Sequence, residues 1–119
     1  PYDSVRALPP GRGERMACPL MKRLAELAVP LLVVAQYDPG AWQGDAGAAE
    51  QRRQATSVLR CARQAGLAVL DTFDAFTAAA GRTGTQQLFA PQGHLDARGN
   101  AIIARLVADA LKQQGLIAQ

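Results

Sequence analysis

The chain's one histidine, His94, occurs once in 119 residues, in the run Phe89-Ala-Pro-Gln-Gly-His94-Leu-Asp96. Near neutral pH an ordinary imidazole can accept a proton, so a histidine carried on a loop at the entrance to a helix suits general-base work. Such a base needs a hydroxyl to deprotonate and, in most serine-type sites, an acid that holds its ring. Asp71 and Asp74, at the end of a short apolar run, are the carboxylates placed to orient it. Ser4 follows Tyr2-Asp3, but no apolar strand precedes it, so it reads as a plain loop serine. One histidine with scattered carboxylates offers no metal-ligand spacing, and no glycine-rich loop follows a strand. Neither a metal nor a nucleotide cofactor is expected.

The elements that must position these groups follow from periodicity. After His94, Ile102, Leu106 and Ala110 run alongside Ile103, Val107 and Leu111, two rows four residues apart on one helical face. Asp96 stands where an N-cap belongs and Gly115 where the helix should stop. Upstream, residues 1–13 are rich in proline and glycine and read as a loop or cut edge, and Leu20, Leu24 and Leu27 mark a helix over about Glu14 to Ala28 containing Pro19. Pro30-Leu-Leu-Val-Val-Ala-Gln36 is a continuous apolar run of the kind found in strands buried on both faces of a parallel sheet. Its end, Tyr37-Asp38-Pro39-Gly40, is a turn. Ligands of open α/β sheets bind beyond the carboxyl ends of strands, so Tyr37, Asp38 and Trp42 are the candidate pocket residues, with Trp42 also readable as a lid over the sheet edge. Asp45 caps a helix to about Ala65 with Gly66 as its stop, and Leu67-Ala-Val-Leu-Asp71 forms a second strand. Asp74 to Ala80 reads as a short helix and Gly81-Arg-Thr-Gly84 as an exposed turn.

Composition sets the bounds. The chain is 49% hydrophobic and 19% charged with a net charge of +3, which excludes a disordered or fibrous class. Arg52, Arg53, Arg60 and Arg63 share one helix, but without interleaved aromatics they read as a solvated face, so no nucleic-acid partner is expected. No apolar run approaches the roughly 20 residues of a membrane span. Cys18 and Cys61 lie on separate helices without zinc or redox spacing. Buried free thiols are the reading preferred, with a single disulfide as the alternative in an oxidising compartment. Helix, strand, helix, strand is the rhythm of an α/β layer. Two strands make a poor sheet by themselves, so the expected fold is α/β with a parallel sheet covered by helices, part of which is absent from this sequence.

His94-Leu-Asp-Ala-Arg-Gly99-Asn100 and the helix after it resemble the last block of the SGNH (GDSL-like) hydrolases. The likeness extends more loosely upstream to about Leu20. It implies a three-layer α/β/α domain with a parallel sheet, flavodoxin-like, of which this chain is the C-terminal part, and a serine esterase in which His94 is the general base. The nucleophile and oxyanion donors would lie in an N-terminal remainder of the same domain, and the substrate would be an acyl or acetyl ester of carbohydrate or lipid. Export or a cell-envelope location follows by the same analogy. In that family an aspartate three residues, sometimes two, before the histidine orients it, and here Pro91 and Gln92 occupy those positions. A backbone carbonyl orients the ring, Asp71 or Asp74 substitutes, or the protein is a catalytically inactive binding or assembly module. An unrelated flavodoxin-like binding domain is a further reading.

Overall fold

A computed structural model describes residues 11–118. Ser4 and the rest of the first ten residues lie outside the described range. In order, the elements are α1 (Arg12–Ala25), β1 (Leu32–Ala35), a 3-10 turn (Pro39–Trp42), α2 (Ala46–Gln64), β2 (Ala68–Asp71), α3 (Phe73–Ala80), two further 3-10 turns and α4 (Ala97–Gln113). β1 and β2 pair in parallel, with Leu32 opposite Ala68 and Ala35 opposite Asp71. The fold is α/β with a parallel sheet, and the β1-α2-β2 crossover is its central unit.

Local signals end these helices as expected. The Asp45 carboxylate accepts the Ala48 N–H at 2.8 Å and the Asp96 carboxylate accepts that of Gly99 at 2.8 Å. Each bond satisfies a first-turn amide that has no partner within the helix. At the other ends Gly66 and Gly115 take φ of 80° and 68°, the left-handed backbone that lets the chain leave a helix without a Cβ clash. α1 begins at Arg12 and ends at Ala25, slightly earlier than its apolar spacing indicates, and contains Pro19. Proline has no N–H for the helical ladder, so α1 depends on packing more than on its own hydrogen bonds.

That packing is against α2, and here the cysteine expectation is corrected. Cys18 and Cys61 form a disulfide, with Cα atoms 4.6 Å apart. Small buried residues, Ala17 on α1 and Ala62 on α2, lie next to the two cysteines in sequence. Small side chains at a helix contact let backbones approach closely enough for a bridge. The Arg53 guanidinium also pairs with Glu14 across the helices and with Glu50 on its own turn.

The second departure concerns burial. All four β1 residues are half-buried rather than enclosed, because the sheet has two strands among the described residues. Besides its pairing with β2, β1 is secured at its end, where Thr72 Oγ1 donates to the Ala35 carbonyl at 2.7 Å and the Thr72 N–H donates to the same oxygen at 3.2 Å. A buried cluster lies beyond the strand tips. Phe76, Ala80 and Leu88 are buried, with Trp42, Phe89, Leu95, Ile102, Ile103 and Leu106 packed around them. The apolar face of α4 therefore holds the His94 loop against α3.

Candidate functional site

The site is built from two chain segments that meet where β1 ends. The first is the turn after β1. Asp38 caps the 3-10 turn by accepting the Gly40 N–H at 2.8 Å, while its own N–H donates to Gln51 Oε1 of α2 at 3.0 Å. This fixes Gln36, Tyr37 and Asp38 against the helix that follows them.

The second segment is the loop 88–96 that carries His94. Phe89 and Leu95 form an antiparallel bridge, the Ala90 N–H donates to the His94 carbonyl at 2.7 Å, and the Asp96 N–H donates to the Leu88 carbonyl at 2.8 Å. Gly93, at φ 81°, makes the reversal. The Asn100 side-chain amide donates to the Leu95 carbonyl at 3.1 Å, and Arg98 donates to the Gln87 carbonyl while pairing with Asp96. Gly99 makes close approach possible, since a Cβ there would lie 2.6 Å from the Leu88 carbonyl oxygen. The backbone under His94 is thus pinned by helix α4 and its cap, which leaves the imidazole exposed on a fixed base.

Between the segments runs an open groove of about 250 Å³ lined by Gln36, Tyr37, Asp38, Phe89, Gly93, His94 and Leu95. Tyr37 and Asp38 are brought together with His94, as the strand-tip rule anticipates. Trp42 is not among the groove residues. Its indole stacks on Phe73 with centroids 5.0 Å apart, contacts the rings of Tyr37, Phe76 and Phe89, and donates from Nε1 to Thr77 Oγ1 at 2.8 Å. It is a packing residue under the groove. Arg52 lies 4.0 Å over the Phe73 ring and extends the stack to the surface of α2.

The two candidate orienting acids lie elsewhere. Asp71 Oδ1 accepts the Tyr37 hydroxyl at 3.0 Å and the Phe73 N–H at 3.0 Å. Asp74 is exposed in the first turn of α3. Among the described residues the His94 ring has no side-chain hydrogen bond, so neither acid holds it. Tyr37 is only 4% exposed, and burial, then the bond to Asp71 and that residue's charge, push its phenol up to about 12. The sequence left this pair unread, although the register carries a signal. Asp71 is opposite Ala35, and Tyr37 follows Ala35 by two residues, where strand alternation returns a side chain to the same face. Gln36, Phe89 and Leu95 as groove walls were also unread, because they meet only through the tertiary fold. Among the described residues no group of three or more His, Cys, Asp or Glu is placed to hold a metal ion.

No family model matches the chain, and no curated protein matches it. Among solved structures it is similar to LAE5, described as an alpha/beta hydrolase enzyme from the metagenome of Lake Arreo, Spain. The TM-score is 0.75 at 22% identity, over 92% of this chain and 50% of that chain. The likeness is one of fold, and the chain spans half the length of LAE5.

Proposed function

We propose that the chain is part of a carboxylic ester hydrolase or acyl transferase of the serine-histidine type, with His94 as general base. One observation carries the reading. The single histidine sits on a braced loop, exposed, on the wall of a groove at the carboxyl end of β1, where α/β folds place their ligands. The resemblance of the His94–Asn100 block to SGNH hydrolases and the fold shared with a hydrolase support the same class. In this mechanism a serine hydroxyl from outside the described residues attacks the ester carbonyl and passes its proton to His94. The tetrahedral intermediate expels the alcohol, which takes that proton, and leaves a seryl ester. Water or an acceptor alcohol, deprotonated by His94, attacks the seryl ester, and the serine oxygen leaves with the proton that His94 returns, giving the free acid or a new ester. Acyl or acetyl esters of carbohydrate or lipid are the proposed substrates. The Cys18–Cys61 bridge supports an oxidising, exported location.

A second reading, a non-catalytic binding or assembly module, is favoured by the Asp71 carboxylate being engaged by Tyr37 and by the proline and glutamine at positions 91 and 92. The deciding experiment uses the longest polypeptide the gene encodes. Under the catalytic reading a fluorophosphonate labels one serine, and His94→Gln abolishes both labelling and hydrolysis of p-nitrophenyl acetate. Absence of both adduct and hydrolysis supports the binding module instead, and hydrolysis unchanged in His94→Gln removes His94 as the base.

A further inference from the structure

Among the described residues that line the groove beside His94, one is a carboxylate, Asp38, and none is a lysine or arginine. This holds in a chain whose net charge is +3. Asp38 is exposed and uses Oδ1 to accept the Gly40 N–H, while its Oδ2 has no hydrogen-bond partner among the described residues. Neighbouring basic groups are committed elsewhere, Arg52 over the Phe73 ring and Arg98 to Asp96. Two further carboxylates, Asp71 and Asp74, act on the Tyr37 phenol of the same groove, against Arg52. Asp38 is also held close to the base. Gly93 faces Pro39, whose ring a Cβ at Gly93 would meet at 3.9 Å, and Gln86 Nε2 donates to the Pro39 carbonyl at 2.8 Å. Asp38 and His94 are the chain neighbours of that contacting pair.

Proton transfer tells which half of an ester lies here. His94 hands its proton to the oxygen of the departing alcohol and later takes one from the acceptor, so the alcohol half, and not the acyl half, stands beside the imidazole. We propose that Asp38 is a specificity-determining residue of this alcohol subsite, and that the alcohol it selects carries an ammonium group, as an amino sugar or an amino alcohol does. The inference rests on the catalytic reading and narrows its substrates by charge. A carboxylate with one unengaged oxygen attracts a cation, whereas it repels a phosphate or sulfonate and offers it no donor. Gln36, exposed on the same groove, supplies a neutral amide for the hydroxyl groups around the ester. In an open, water-filled groove one unit charge about 4 Å away changes affinity about fivefold, which is the scale of selectivity expected.

Steady-state hydrolysis by the longest gene-encoded polypeptide, at neutral pH and low ionic strength, tests it. Two pairs of acetate esters of similar shape differ in charge: acetylcholine against 3,3-dimethylbutyl acetate, and 6-O-acetylglucosamine against 6-O-acetylglucose. The ester 2-acetoxyethanesulfonate supplies an anion. Each kcat/KM is divided by the rate of the uncatalysed hydrolysis. In at least one pair the cationic ester should lead by about fivefold, with the sulfonate slowest, and about 0.5 M salt should shrink the lead. Asp38→Asn, which keeps an acceptor for the Gly40 N–H, should remove the lead. Gln36→Glu, at a side chain with no hydrogen bond among the described residues, should enlarge it. The pair that responds tells an amino sugar from an amino alcohol. A cationic lead that is absent, or that is the same in the parent and both variants, overturns the proposal and leaves the hydrolase standing. No hydrolysis of any ester, p-nitrophenyl acetate included, overturns both.

Discussion

Tyr37 donates its phenolic hydrogen to Asp71 Oδ1 at 3.0 Å, a cross-link between the carboxyl ends of β1 and β2 that also forms part of the groove wall facing His94. The neutral phenol is the form this arrangement favours, since its pKa rises from 10.0 to about 12. The stability it contributes is fully present below pH 10 and is lost as pH climbs through about 12. Urea titrations of the parent should show falling stability across that window relative to Tyr37→Phe, which has no proton to lose. Parent and variant declining in parallel would show that the phenol titrates alike in the folded and unfolded states. At neutral pH the same substitution should cost about 1 kcal/mol, the ordinary net value of one hydrogen bond.

The Cys18–Cys61 bridge closes a loop with a sequence separation of 43. In the chain-entropy model, restricting the unfolded chain over that length is worth about 4 kcal/mol, and native bridges commonly deliver about 2–4. Reduction, or Cys18→Ser/Cys61→Ser, should lower unfolding free energy by that amount. It should also release α1 first, because α1 packs chiefly against α2, the helix the bridge ties it to. Limited trypsin digestion with and without reductant reads the order: cleavage after Lys22 or Arg23 should precede cleavage within α2. Uniform digestion throughout the chain would mean the bridge does not act chiefly on α1.

Gly99→Ala reverses the usual helix rule. In an exposed helix interior, alanine for glycine stabilises by about 1 kcal/mol. Here the added methyl would meet the Leu88 carbonyl oxygen at 2.6 Å and Leu95 Cδ2 at 2.9 Å, and a backbone oxygen that also accepts the Asp96 N–H has little freedom to retreat. The expected outcome is destabilisation of about 1–3 kcal/mol, with chemical-shift changes concentrated in residues 88–96. A stabilised Gly99→Ala would mean that this loop is not held against α4 as described.

Asp96 carries a prediction of the opposite pH sign. Its carboxyl is held below the ordinary carboxylate range, first by the Gly99 N–H and then by Arg98. The stability it gives is present above its unfolded value and is lost as pH falls through the lowered folded one. Asp96→Asn keeps an acceptor for Gly99 without titrating, so the acid limb of the stability profile should be shallower in that variant. Thermal melts from pH 6 to pH 2 provide the comparison, and identical limbs would assign the acid sensitivity to other carboxylates.

Much of the fold is written locally. Asp45 and Asp96 as caps, Gly66 and Gly115 as stops, and the β1 and β2 runs all act on neighbours a few residues away, so their roles can be read along the chain. The groove is legible in part for the same reason. Tyr37 and Asp38 end a strand and His94 precedes a capped helix, and α/β topology brings such ends together.

Tertiary structure alone decided the rest. Whether Cys18 and Cys61 bridge depends on how closely α1 approaches α2, a distance of a few ångströms between residues distant in sequence. Asp71 follows β2 as an orienting acid could, yet the β1–β2 register sets it beside Tyr37, whose hydroxyl it accepts. Trp42 follows the strand tip as a pocket residue would, yet the placement of Phe73 and Phe76 on α3 draws it into the core. Short-range backbone chemistry is fixed by adjacent residue types, whereas each of these pairings is set by the packing of elements that the sequence order does not place in contact.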